Sequence, residues 1–575
     1  MKNAFATLLF LIAFLRLPAQ MVIPNDYFRS PLDTVLLLSA SFGEIRAGHL
    51  HSGIDIKVFE KEGMPVLAVA DGFVVRVKVS PVGFGNALYI DHPNGFTSVY
   101  GHLQRFSSEI QKYIRKEQYE RESFDVDVFP GKDLIRIKKG DTIGYAGNSG
   151  TSFGPHLHFE LRDTKTERPI NPLHFGYNIK DTLKPIISSL IIYPFGDSSS
   201  VNKNYFPVQY PLEGTDTLHP SLIAEDTLCL AGKIYFGIET EDLMYNQRDK
   251  NGVYSVELFI DSTLCFSQAL DSFAFDETRY VNAMIDFNYW MHTGRKIIKT
   301  YVSPGNKLPV YRYVANQGIF DFSAPKLHLI RYEVSDFSGN KKVLQFYAKG
   351  NFPFPQDYVN EPWCNDDTLI FYPDRKNSFK NEDIEITIPA GTLYDTLLFS
   401  YSSDKIPKGC FSKLYHIQNP FSALQKNMTV SVKTEGLPEK YQQKALLVRI
   451  NENHSKSAVN STFENGFVIA KTNTFGDYAV TIDAVPPQIK PLNIPRKHHI
   501  SRQKNLEFLI TDNLSGIKSY RGTLNGQWIL MEYDAKSDKL IYRFDDRLHK
   551  GKNDLRIVVT DECKNSRTFS SILYY

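Results

Sequence analysis

Three short segments carry histidines in patterns that can hold a metal. GHLHSGIDI contains His51 and, four residues on, Asp55. VYGHL places His102 at the end of an apolar run, and GPHLHFEL carries His156 and His158 one residue apart. Two neutral imidazoles and one carboxylate form the ligand set of a catalytic zinc, with a fourth position open to water. Such a metal lowers the pKa of its water to about 7 and polarises a carbonyl, and two further histidines then serve proton transfer and oxyanion stabilisation. That chemistry needs five side chains, and His51, Asp55, His102, His156 and His158 supply five. An isolated H-x-x-x-D or H-x-H is weak evidence, because single histidines more often sit satisfied in a core or at a surface. All three segments in order, each set among glycine turns and strands, are specific.

To act together, these residues must be positioned by strands. On a strand, residues two apart project from one face, so His156 and His158 point one way while Leu157, Phe159 and Leu161 point into a core. Glu160 shares the histidine face; of its two readings, a partner behind the metal ligands or a solvated rim carboxylate, the second is expected. Gly53 and the strand-like IDIKV make HSGID a turn entering a strand, although a spacing of four also suits a helix. The HLH triplet offers His49 as a rival to His51, but only His51 has an aspartate four residues later. His92 follows the strand ALYID and reads as a turn residue. Alternation and Asn-Gly or Asp-Gly turns through PVLAVADGFVVRVKV, GNALYIDHPNGFTSVYGHL and KKGDTIGYAGNSG predict one antiparallel β domain between Phe42 and Phe175. A polar insert from Ser107 to about Glu122 interrupts it. There Ile110, Tyr113 and Ile114 recur at helical spacing behind Ser107 and Ser108 as N-caps, which predicts a helix at the domain rim, placed to narrow a groove or act as a lid.

With 575 residues the chain exceeds a single core and is expected to form several domains. Its 32 Tyr and 40 Phe favour strands, and a net charge of +2 gives no field that points to nucleic acid or an anionic membrane. Residues 1–20, with Lys2, an apolar run from Ala4 to Leu15 and then Pro18 and Ala19, read as a secretory signal peptide. That run is short for a membrane span, which needs about 20 apolar residues, so export to the periplasm or cell envelope is expected, with no further transmembrane span. Five cysteines, an odd number and without C-x-x-C spacing, do not make a disulfide framework, though Cys229 and Cys265 could pair. Beyond Pro185 only short strands and turn signals follow, the pattern of stacked β-sandwiches. YEVSDFSGNKKVLQF (332–346) echoes IVVTDECKNSRTFSS (557–571), and the stretch after Ile238 echoes that after Phe508. The reading is mostly β: a β domain at 21–185, immunoglobulin-like modules at 186–350 and 486–575, and a β-sandwich module at 351–485.

HSGID, GFGNALYIDHPNGFTSVYGHL, KKGDTIGYAGNSG and GPHLHFEL together resemble the LytM and lysostaphin-type zinc endopeptidases, over about residues 42–172. The resemblance implies one Zn2+ held by His51, Asp55 and His158, with His102 and His156 as the non-ligand histidines that orient or deprotonate water and stabilise the tetrahedral intermediate. It also implies that Asn86 and Tyr100 line the substrate groove. The implied activity is hydrolysis of peptide bonds in the stem or cross-linking peptides of bacterial peptidoglycan, with the C-terminal β modules anchoring the enzyme or meeting envelope partners. One alternative is a non-hydrolytic or autoinhibited relative that binds peptidoglycan and activates another cell-wall hydrolase, but such relatives typically lose zinc ligands and none is lost here. Another is a chiefly adhesive protein, which nothing promotes, since the β modules carry no D-x-D-x-D-G calcium loop.

Overall fold

The computed structural model describes residues 26–132, 134–177, 179–213, 221–222, 227–244, 249–351 and 369–575. The apolar run at 1–20 and Cys364 lie outside the described residues. The protein is mostly β, and its strands pair antiparallel except where Thr227–Met244 runs parallel to Lys341–Asn351.

Seven strands form the spine of the first sheet. In chain order these are β1 (Leu38–Ala40), β2 (Ile54–Lys57), β3 (Gly72–Val79), β4 (Ala87–Asp91), β5 (Phe96–Gly101), β6 (Val126–Val128) and β7 (His156–Asp163), arranged β1-β2-β7-β5-β4-β3-β6. Strand β7 is central because its odd positions, Leu157, Phe159 and Leu161, are wholly buried apolar groups that need a partner on each side. Its register sets His158 directly opposite Asp55 on β2 and opposite Gly101 on β5. Ile54 and Ile56 fill the core while Asp55 between them faces the histidines. A second sheet of Pro65–Leu67, Thr142–Ala146 and Leu103–Phe106 packs alongside.

The polar insert is a helix, α1 (Ser108–Glu120), with Ser107 at its N-cap and Ile110 and Ile114 buried. It docks on the last module rather than over a groove. Arg115 pairs with Asp545 at 3.1 Å, and Tyr119 meets Trp528 edge-on at 5.1 Å.

One apolar cluster runs without a break from Phe28 to Ala348, so the first domain and the following module share a core. Phe42 stacks on Phe273 with ring centres 4.8 Å apart at their junction. The 18-residue strand Thr227–Met244 runs through this module's 12-stranded sheet. Two five-stranded sheets between 377 and 482 and two four-stranded sheets between 488 and 574 enclose separate cores. Cys229 and Cys265 are both free thiols, so the pairing that sequence left open is not made. No helix among the described residues is long and apolar enough to cross a membrane.

His92 opens the turn at 92–95, as expected, its carbonyl accepting from Gly95 N–H at 3.1 Å, and its ring is a buried strut, 4% exposed. Its Nδ1–H donates to Asp71 O at 2.8 Å, and its Nε2 meets Ser98 Oγ at 2.8 Å, from which the chain continues to the Tyr100 hydroxyl. Burial pushes its pKa from 6.5 down to about 4. The unfolded chain therefore binds the extra proton first, so this contribution is complete above pH 6.5 and is lost as the pH falls through about 4. It amounts to at most about 3 kcal/mol. In urea titrations between pH 7 and 4, a His92→Gln variant is expected to lose stability less steeply with acid than the natural protein; parallel slopes would show that another group controls acid sensitivity.

Candidate metal centre

His51, Asp55 and His158 converge. His51 Nε2 lies 3.0 Å from Asp55 Oδ1 and 3.0 Å from His158 Nδ1, and His158 Nδ1 lies 2.9 Å from Asp55 Oδ1. All three are buried, at 2, 5 and 1% exposure. Each ring is fixed from its far side. His51 Nδ1–H donates to Ser41 O at 2.8 Å, and His158 Nε2–H donates to Glu160 Oε1 at 2.9 Å. These bonds select the tautomers in which two lone pairs and a carboxylate oxygen face one another. Three donor atoms about 3 Å apart can share a cation about 2.0–2.1 Å from each, the distance zinc takes to nitrogen and carboxylate oxygen, so the donor set fits zinc. Burial works against a charged His158, but Asp55 and Glu160 overcome it and hold its pKa up at about 9.

Glu160 is 0% exposed, and the expectation of a solvated rim carboxylate is corrected here. It accepts from His158 and from Ser52 Oγ, and Arg162 Nε donates to its other oxygen at 2.6 Å. Burial alone raises the pKa of Glu160, but Arg162, His158 and Ser52 outweigh it and bring it down to about 2. Arg162 and Ser52 were not singled out from sequence. The signal for Arg162 was the alternation itself, since it continues the polar face of His156, His158 and Glu160. Arg46, also unforeseen, donates to the second oxygen of Asp55 at 2.7 Å.

The other two histidines stand beside the triad. His102 follows the end of β5 with φ of 57°, fixed by its N–H to Phe84 O at 2.8 Å. Its Nδ1–H donates to Ser149 O at 2.8 Å, and His156 Nδ1–H donates to Gly154 O at 2.9 Å. Both rings thus keep Nε2 for the cleft, with ring centres 4.8 Å apart. His156 Nε2 is buried without a hydrogen-bond partner and lies 3.5 Å from Asp55 Oδ1. Burial, with His158 and His156 nearby, pushes the His102 pKa down to about 3, so it is neutral at physiological pH.

Close backbone approach holds this arrangement together. A Cβ on Gly53 would meet Phe159 O at 2.4 Å, and one on Gly150, whose φ is +70°, would meet Gly85 N at 2.3 Å. Phe84 stacks on the His158 ring with centres 4.6 Å apart. His49 is exposed at the cleft edge, its Nδ1 on Ala47 O, and makes no contact with the triad.

Two expected groove residues do other work. Tyr100 is wholly buried on the opposite face of the sheet, paired with Phe159, its hydroxyl accepting from Val69 N–H at 3.0 Å, so it offers no surface to a substrate. Asn86 Nδ2 donates to Leu103 O and Gln104 O at 3.0 and 3.3 Å and braces the turn that carries His102. Neither lines the cleft.

That cleft has a volume of about 1610 Å³, with the five His and Asp side chains on its floor. Phe59 and Phe153 stand exposed at its mouth, and Phe275, Thr278, Trp290 and Lys296 of the following module form a wall. Among the described residues none of α1 lines it, so the insert is not a lid. Phe28, ahead of β1, is packed between His92, Phe96 and Phe175.

Residues 49–119 and 130–172 match the model of Peptidase family M23, and the first domain is an M23 peptidase domain. Residues 368–483 match a second model, the Zu5-like domain. Among curated proteins, the DD-carboxypeptidase/endopeptidase Mpg of Neisseria meningitidis serogroup B is 36% identical over 124 residues, 22% of this chain and 22% of its own. The peptidoglycan DD-endopeptidase ShyA of Vibrio cholerae is 28% identical over 151 residues, 25% of this chain and 29% of its own. The chain thus spans only 22 to 29% of the length of these relatives. Among solved structures, the catalytic domain of the prophage-encoded M23 protein EnpA of Enterococcus faecalis is 26% identical, covering 26% of this chain and 95% of its own with a TM-score of 0.19.

Because Glu160 orients His158, a Glu160→Gln variant is expected to lose zinc affinity by about 10- to 100-fold in competition against a chromogenic chelator. Unchanged affinity would reduce Glu160 to a packing role.

Proposed function

We propose that this protein is an exported zinc metalloendopeptidase that hydrolyses peptide bonds in the stem or cross-linking peptides of peptidoglycan. The observation that carries this reading is the convergence of His51 Nε2, Asp55 Oδ1 and His158 Nδ1 on the floor of an open cleft within an M23 domain. The names of the relatives support the substrate class, two of them being called DD-carboxypeptidase/endopeptidase and peptidoglycan DD-endopeptidase.

The three converging side chains would hold the metal. Zinc bound there supplies Lewis acidity, which acidifies water and polarises a peptide carbonyl. The chain's own residues do the rest. Ser41 O and Glu160 keep the ligand rings in their metal-binding tautomers, and Arg46 draws the second oxygen of Asp55 away from the triad. His102, which is neutral, and His156, both held by carbonyls at Nδ1, present Nε2 to the reacting atoms. One accepts a proton from the attacking water at Nε2 and returns that same proton to the departing amine, and the charge it carries in between steadies the oxyanion. The exposed rings of Phe59 and Phe153 give an extended peptide apolar footing at the mouth of the cleft.

The test is digestion of purified peptidoglycan by residues 21–575, with product masses naming the bond. Zinc-dependent release is expected. His158→Ala should lose both zinc and hydrolysis, whereas His102→Ala should keep zinc and lose about 10²- to 10⁴-fold in rate. A protein that binds one zinc and releases nothing would sink the reading.

A further inference from the structure

Two of the β modules repeat one turn, and in both it closes onto the segment that enters the module. Asn340 donates through N and Nδ2 to the two carboxylate oxygens of Asp336, at 2.9 and 2.7 Å, and Asn565 does the same to Asp561 at 2.7 and 2.7 Å. Each asparagine amide also donates to the backbone of an incoming aspartate, Asp181 O at 3.2 Å or Asp483 O at 3.0 Å. A third aspartate completes each group, Asp242 from strand Thr227–Met244 in the first and Asp512 in the second. In each triad, one carboxylate oxygen from every member lies within 4.8 Å of the others.

The two groups differ in how far their oxygens are satisfied. In the second, backbone N–H groups of Val485 and Ser515 serve Asp483, those of Leu514 and Gly516 serve one oxygen of Asp512, and Asn565 serves Asp561, so that among the described residues one buried carboxylate oxygen, Asp512 Oδ1, is unmet against two in the first. In the first, Asp242 is only 2% exposed and its buried Oδ1 has no hydrogen-bond partner among the described residues. The buried Oδ2 of Asp181 is likewise unmet. No ion pair among the described residues reaches Asp181, Asp242 or Asp336. Both unmet aspartates line a cavity of about 50 Å³, beside the Tyr177 ring and Phe337. Carboxylates this close repel one another, and each buried one carries a desolvation cost that a proton or a counter-charge removes.

We propose that Asp181, Asp242 and Asp336 bind one calcium ion where the catalytic domain leads into the following β module. All-oxygen donors suit a hard cation, whereas zinc prefers nitrogen and sulfur. Calcium takes six to eight oxygens at about 2.3–2.6 Å, which three carboxylates and water in the adjoining cavity can supply. The ion ties the segment leaving the catalytic domain, through Asp181, to two elements of the module, and so fixes the angle at which the module's wall meets the cleft. The site is assembled from distant positions, which is why no D-x-D-x-D-G loop announces it.

The test is calcium titration of the full zinc-loaded chain by calorimetry, with thermal melts in buffer stripped of other divalent ions. Calcium uptake and a higher melting temperature are expected. Asp242→Asn should take up one equivalent fewer, or bind at least about 10-fold more weakly, while melting no lower than the natural protein without calcium, because it removes a repulsive charge. Asp512→Asn should keep the full response. If Asp242→Asn does not fold, Asp181→Asn, which changes only the entering segment, reads the same loss. No uptake at millimolar calcium, equal uptake by the Asp242 or Asp181 variant, or tighter binding of magnesium would overturn the assignment.

Discussion

The M23 domain is organised around one electrostatic demand: two imidazole lone pairs and a carboxylate oxygen must be kept about 3 Å apart where little water can separate them. Free rings would turn away to find donors. The far nitrogen of each is therefore bonded, His51 to a carbonyl and His158 to a carboxylate, and the second bond creates a further need. Glu160 at 0% exposure would be a buried lone charge without Arg162 and Ser52. Breaking such a pair costs about 3–5 kcal/mol, far more than a surface pair contributes. A line of polar groups thus runs along one face of β7 through surroundings that are otherwise apolar, and the opposite face compensates with Leu157, Phe159 and Leu161 in the core.

Much of this was legible in the sequence, for reasons tied to strand geometry. The period of two in HLHFEL places His156 and His158 on one face whatever the neighbouring strands do, and the Gly53 turn into IDIKV brings Asp55 onto the adjacent strand. The helix at Ser108–Glu120 followed from local spacing alone. What failed was what depends on depth. Glu160 on the histidine face looks solvated until the neighbouring strands bury it, and Tyr100 and Asn86 look available until their polar atoms are found bonded to Val69, Leu103 and Gln104. The partner of the helix was equally hidden, since Asp545 and Trp528 lie more than 400 positions downstream of Arg115 and Tyr119.

The β modules do more than trail behind the peptidase domain. The first of them supplies a wall of the cleft, and the last is pinned to both α1 and the loops around His102 and His156, with Lys536 donating to Asn148 O and Ser152 O. Asn148 and Ser152 flank Ser149, whose carbonyl holds His102. The floor of the cleft is thus buttressed from two directions, and its width is a property of the assembled chain rather than of the M23 domain alone.

Ser41 shows how far that dependence goes. Its carbonyl holds His51, while its hydroxyl bonds the backbone of Gly252 in the next module and its neighbour Phe42 stacks on Phe273. A gene fragment ending at the close of the peptidase domain would cut that brace and bare the Phe42 face. The peptidase and its neighbour therefore form one heritable block: recombination that exchanged the module without matching positions 252 and 273 would register as a fault at the metal, two layers of contact away.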